Sequence, residues 1–134
     1  MKLTRASEVA TVTAPASYFT GTVYQVPIVT APDPARVNAA SVTFTPGART
    51  NWHTHPLGQT LHVVSGTGWF QTEGEARIEI HAGDTIFIPP GERHWHGATA
   101  TQMMTHIAIH ERDPAAGHIT WQEPVNDEDY LGES

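Results

Sequence analysis

There is no cysteine among the 134 residues, which excludes both a disulfide framework and a thiolate metal site. Bases are scarce. Seven Lys and Arg stand against 14 Asp and Glu, a formal charge of −7, and nucleic-acid phosphates need a cationic face that this balance does not supply. No apolar run approaches the roughly 20 residues of a membrane span, and the opening MKLTRASEVATVTAPAS lacks the apolar core of a signal peptide. The expectation is a soluble cytoplasmic protein with neither nucleic-acid nor membrane partners. Much of the acid sits in the tail QEPVNDEDYLGES, expected as a solvated terminus. Helical periodicity is also nearly absent.

What the chain does have is period-2 alternation in short runs. FTGTVYQVPIV (19–29), ASVTFTP (40–46), QTLHVVSG (59–66), GWFQTEG (68–74), ARIEIHAG (76–83), DTIFIPPG (84–91), HWHGATA (94–100) and TQMMTHIAIHER (101–112) each read as a strand bounded by Gly, Pro, Asp or Thr. SGTG and TEGE are hairpin-turn candidates, and 29–40 reads as a loop or short helical turn. The chain has no repeat or linker, so one all-β domain spanning 1–134 is expected. Its length suffices to bury roughly two-thirds of the unfolded surface.

Nine histidines are the unusual feature. On an extended segment, residues i and i+2 share a face. His53 pairs in this way with His55, His94 with His96, and His106 with His110. One such pair means little, but three on separate strands suggest convergence. Converging neutral imidazoles without a metal need hydrogen-bond partners for every ring, whereas a divalent transition metal uses their lone pairs directly. His62 points away from the face of Gln59, and His81 sits at a turn. His118 has no evident partner.

The segments that carry these residues resemble a known family. Gly47-x5-His53-x-His55-x3-Gln59-x6-Gly66 is similar to the first motif of the cupin superfamily, with Gln59 where Glu is usual. Gly83-x5-Pro89-x-Gly91-x2-His94-x3-Ala98 is similar to the second, with Ala98 where Asn is usual. The resemblance implies a single-domain cupin, a double-stranded β-helix or jelly-roll barrel, with core motifs at 47–66 and 83–98. It also implies a metal held by His53, His55, Gln59 and His94, and a homodimer or homotetramer.

Within that superfamily, ASVTFTPGARTNWHTHPLGQTL, PGERHWHG and MTHIAI look like the small manganese-dependent hydroxynitrile lyases. That likeness implies reversible cleavage of a cyanohydrin to an aldehyde and HCN. It places additional histidines at His96 and His106, while His110 departs from the glutamine of that group. Manganese rests on the resemblance alone; Fe, Co, Ni or Zn suit the same N/O ligands.

Three imidazoles and a carboxamide are all neutral, so a bound divalent cation keeps its full charge. This favours Lewis-acid work over redox work. A histidine can then exchange the proton, since its ordinary pKa lies near 6.5: His106 first, then His96, with His110 in support. Ala40 and Val42 share a strand face, and are either an apolar wall for the aldehyde or plain core packing. A metal-dependent oxygenase and a non-enzymatic ligand-binding module remain open alternatives.

Overall fold

A computed structural model describes residues 1–132. Its strands are β1 (Val12–Thr13), β2 (Phe19–Thr20), β3 (Val23–Thr30), β4 (Val37–Phe44), β5 (Arg49–Thr50), β6 (His53–Thr54), β7 (Gln59–Thr72), β8 (Ile78–His81), β9 (Thr85–Ile88), β10 (His94–Ala98), β11 (Met104–Glu111) and β12 (Thr120–Trp121). Among the described residues there is one short α-helix, α1 (Asp127–Tyr130), and one 3-10 turn at Ala6–Glu8. Among the described residues, no helix is long and apolar enough to cross a membrane.

Every strand pairing among the described residues is antiparallel. One sheet runs β1-β3-β4-β11-β7-β9, and the other joins β8, β7, β10, β5 and β2, with β6 and β12 extending it beside β10. Because β7 belongs to both, the sheet curls on itself into the expected barrel. Alternation sets the faces. In β11, Met104, His106 and Ala108 are buried while Ile109 and Glu111 are exposed. In β7, Gln59, Leu61 and Val63 point inward. Val23, Val42, Phe44, Leu61, Val63, Ile88 and Met104 belong to the buried core.

Three expectations are corrected. SGTG is not a turn, because β7 continues through it for 14 residues. Its glycines serve close approach instead. A Cβ on Gly66 would lie 1.9 Å from Met103 O, and one on Gly68 would lie 2.5 Å from Gly97 O. The absence of side chains lets β7 pass between β10 and β11 as it changes sheets. TEGE does turn, with the Glu75 N–H donating to Thr72 O at 3.0 Å. Second, the 29–40 loop shrinks to 31–36, because β3 runs to Thr30 and β4 starts at Val37.

Third, the acidic tail is not simply solvated. Val125 and Tyr130 are buried against Trp52 and Trp95, on the outer face of β10. Arg49 donates to Val125 O (2.8 Å) and Asp127 Oδ1 (2.9 Å), and its guanidinium lies over the Tyr130 ring at 4.2 Å. Tyr130 Oη donates to Ala98 O at 2.7 Å. Burying a side chain such as Val125 stabilises by about 1.5–3 kcal/mol, enough to hold a segment whose carboxylates still face water. Glu133 and Ser134, the end of that tail, lie outside the described residues.

Candidate metal centre

Strand register gathers the histidines. His53 of β6 is directly opposite His94 of β10, and their rings lie 4.2 Å apart. His110 at the end of β11 is opposite Gln59 at the start of β7. His106 on one sheet meets His96 on the other across the barrel, Nε2 to Nδ1 at 2.9 Å. Both rings pack on Phe44, at 5.3 and 5.7 Å.

Three rings are oriented in the same way. His53 Nδ1 lies 2.8 Å from Asn51 O, His55 Nδ1 2.6 Å from His118 O, and His94 Nδ1 2.9 Å from Glu92 O. A carbonyl only accepts, so each Nδ1 carries the proton and each Nε2 keeps its lone pair. Such outer hydrogen bonds are the usual way a metal-ligating imidazole is aimed. His55 Nε2, His94 Nε2 and Gln59 Oε1 are buried with no hydrogen-bond partner. A buried acceptor without a partner costs about 1–3 kcal/mol, and a cation placed among these atoms would satisfy them together. The residues therefore fit a divalent metal.

The tightest group of ring nitrogens, however, is His53, His94 and His96, all within 4.8 Å of one another. By ring centroids His55 is no farther out, 5.1 Å from His53 and 5.6 Å from His94 against 5.4 and 5.8 Å for His96, so ring orientation separates the two. His96 differs from the other three in having its Nδ1 on another imidazole rather than a carbonyl, while its Nε2 has no partner. It can therefore act either as a donor to the cation or as part of a proton relay.

Burial is the main reason that these imidazoles are held below their ordinary pKa. His94, His106 and His110 fall to about 4, and His53 and His96 are driven well below the usual value, with neighbouring imidazoles adding to the effect. The cluster is thus uncharged at neutral pH. An unfolded chain protonates its histidines near 6.5, so between pH 6.5 and 4 the unfolded state binds more protons and stability falls as pH falls. For His106 alone this amounts to about 3 kcal/mol. We expect the metal-depleted protein to lose stability steeply across that window and to be insensitive above it. Urea midpoints at pH 7.5, 6 and 5 check this, and a flat series contradicts it.

A cavity of about 270 Å³ opens on the cluster. Ala40, Val42, Phe44 and Ala108 line one side, and Gln59, His53, His55, His96, His106 and His110 contribute the polar atoms. Ala40 and Val42 thus face the cavity while also packing on the core. Both ring nitrogens of His110 are buried without partners. His62 is exposed, with its Nδ1 2.8 Å from Thr85 Oγ1, and His81 is exposed as well.

Sequence reasoning missed several parts of the site. His118 supplies the carbonyl that orients His55, and its ring stacks on His110 at 4.7 Å. Exposed Tyr18 and half-buried Trp121 line the cavity where it meets solvent, with Phe19 buried behind them. Tyr18, Trp121 and His118 lie outside the motifs in irregular or two-residue segments, and Phe19 opens a run read only as a strand.

Known proteins share this architecture. The Cupin domain family model matches residues 40–110. An (R)-mandelonitrile lyase from Granulicella tundricola is 55% identical over 130 residues, covering 97% of this chain and 98% of that protein. A cupin-like protein from Thermotoga maritima superposes with a TM-score of 0.84 at 35% identity, over 91% of this chain and 92% of that one. A polyketide cyclase from Streptomyces resistomycificus shares the fold at 19% identity, with a TM-score of 0.72 over 97% and 90% of the two chains.

Proposed function

The chain belongs to the cupin domain family, and we propose that it is a metal-dependent lyase cleaving a cyanohydrin reversibly to an aldehyde and HCN. The whole chain is read as one cupin domain. The observation that carries the reading is a neutral donor cluster at the base of a partly apolar cavity, in a chain 55% identical along its length to an (R)-mandelonitrile lyase.

His53, His55, Gln59 and His94 would hold the cation, manganese by resemblance. Bound there, it would supply Lewis-acid charge to a substrate oxygen. The side chains do the rest. Ala40 and Val42 receive the aldehyde substituent. We place proton exchange on His106 Nδ1, the ring atom without a protein partner. Its Nε2, hydrogen-bonded to His96 Nδ1, lets the two rings share the charge that His106 takes on. The hydroxyl proton passes to that imidazole, and the C–C bond breaks with its electron pair leaving on cyanide. The same proton then returns to give HCN. His110, beside His55, supports this as a second neutral acid or base.

The test is benzaldehyde release from mandelonitrile, followed with and without added manganese on protein of measured metal content. Oxygen uptake with an oxidised product would point to an oxygenase instead. Gln59→Glu should bind metal more tightly yet cleave more slowly, because its negative charge repels the oxyanion developing on the substrate. A tenfold loss corresponds to about 1.4 kcal/mol. Weaker metal binding combined with faster turnover would contradict this account of Gln59.

Association into a homodimer or homotetramer is supported by an uncharged row on the outer sheet face. It runs Phe87, Thr60, Ile109, Ala39, Val29 across five strands.

A further inference from the structure

Asn51 lies outside the cavity wall and outside the proposed ligand set, yet it is buried and bonded to three parts of the site. Its carbonyl accepts from His53 Nδ1 at 2.8 Å. Its backbone N–H donates to Tyr18 O at 2.8 Å. Its side-chain amide donates to both Ser17 O and Gln122 O, each at 3.0 Å. Ser17 and Tyr18 belong to one lip of the cavity mouth, and Gln122 follows Trp121 in the other.

The lips have little support of their own, since β2 and β12 are two residues each. Their rings interlock instead. Tyr18 lies flat on Trp121 at 4.8 Å and 7°, and Phe19 meets Trp121 edge-on at 5.4 Å. Trp121 also packs on His53 at 4.7 Å and is its register partner. The mouth and one proposed ligand are therefore packed together, and the Asn51 side chain bonds the backbone of both lips, one of which Trp52 also holds through backbone bonds to Gln122 and Glu123.

We propose that Asn51 is a positioning residue that ties the two lips to the ring of His53, so that an aromatic ligand at the mouth and a divalent metal at the centre strengthen each other's binding. This rests on the reading of His53 as a ligand. Reciprocity is required by linkage: if metal orders His53 and, through Asn51 and Trp121, the lips, then a ligand that orders the lips must raise metal affinity equally. Only a side chain with two donors can serve both carbonyls. Aspartate has the same shape but, when ionised, only acceptors, and it would face two carbonyl oxygens.

The experiment compares Asn51→Asp, Asn51→Ala and Asn51→Ser with the full-length wild-type protein. Manganese affinity is measured by competition with a chelating dye, with and without benzaldehyde as the aromatic probe. Chymotryptic cleavage at the exposed Tyr18 is followed on metal-free protein. Wild type should bind manganese more tightly in the presence of benzaldehyde. Asn51→Asp keeps the main-chain carbonyl that orients His53 but loses both side-chain bonds to the lips, so it should weaken metal binding by no more than the roughly 10–100-fold that loss of an outer hydrogen bond to a ligand costs. It should also abolish the benzaldehyde effect and speed cleavage at Tyr18, with Ala milder than Asp.

A packing role alone predicts the reverse order, since Asp fills the same space, and that order overturns the proposal. So does a wild type whose metal affinity ignores benzaldehyde. If Asn51→Asp does not fold, Asn51→Ser, which keeps one donor, must fall between wild type and Ala in both readouts. Wild-type protein that binds no manganese sinks the ligand reading instead. The cleavage series, which needs no metal, then decides whether Asn51 ties the lips.

Discussion

His94→Ala protein should fold and carry almost no metal. His94 is fully buried in β10, opposite His53, with Nδ1 committed to Glu92 O and Nε2 without a partner. Removing it takes away one proposed donor outright. Losing an outer hydrogen bond to a ligand already costs 10–100-fold in metal affinity or activity, so losing the ligand should cost at least about 100-fold. Folding should survive, because burial already disfavours the charged ring. Alanine removes a group whose protonation destabilises the fold in acid, so the metal-depleted variant should resist acid better than metal-depleted wild type. His53→Ala should lose metal likewise. His62→Ala is the control, since its exposed ring points away from the cluster. Elemental analysis and urea unfolding on the same preparations decide the matter, and full metal occupancy in both His94→Ala and His53→Ala would falsify the assignment.

His106→Ala should do the opposite, keeping metal while losing roughly 10²–10⁴ in cleavage rate, the usual worth of a positioned acid–base group. His106 is fully buried, and its one side-chain partner is His96. The substitution leaves the carbonyl bonds that orient His53, His55 and His94 intact. His96→Ala should lose less, but the two rings share a hydrogen bond and so act as a unit. The double variant should therefore be little worse than His106→Ala alone, since groups in one network are non-additive. Initial rates of mandelonitrile cleavage across pH 5 to 8, with metal stoichiometry measured alongside, make the comparison. A metal-replete, active His106→Ala protein with an unchanged pH profile removes His106 from the mechanism and passes its role to His96 or His110.

What the sequence determined by itself is local. Backbone pleating alternates side chains with period 2, so the inward faces of β7 and β11, and the placing of His106 with Met104 and Ala108, follow from order along the chain. The barrel and its family were implied by the resemblance of Gly47–Gly66 and Gly83–Ala98 to the cupin motifs, which is legible because those motifs span only a few residues of turn and strand.

Tertiary structure decided everything that depends on which segments meet. Gly66 and Gly68 look like turn residues until β10 and β11 are seen pressing against them. Val125 and Tyr130 look solvated until Trp52, Trp95 and the Ala98 carbonyl receive them. The hydrogen bond between His106 and His96 crosses between two sheets. Asn51 joins segments 34 and 71 residues away, and the carbonyl of His118 reaches His55 over 63. Such contacts are set by strand register and barrel closure, which depend on the summed packing of the whole chain rather than on any window of it.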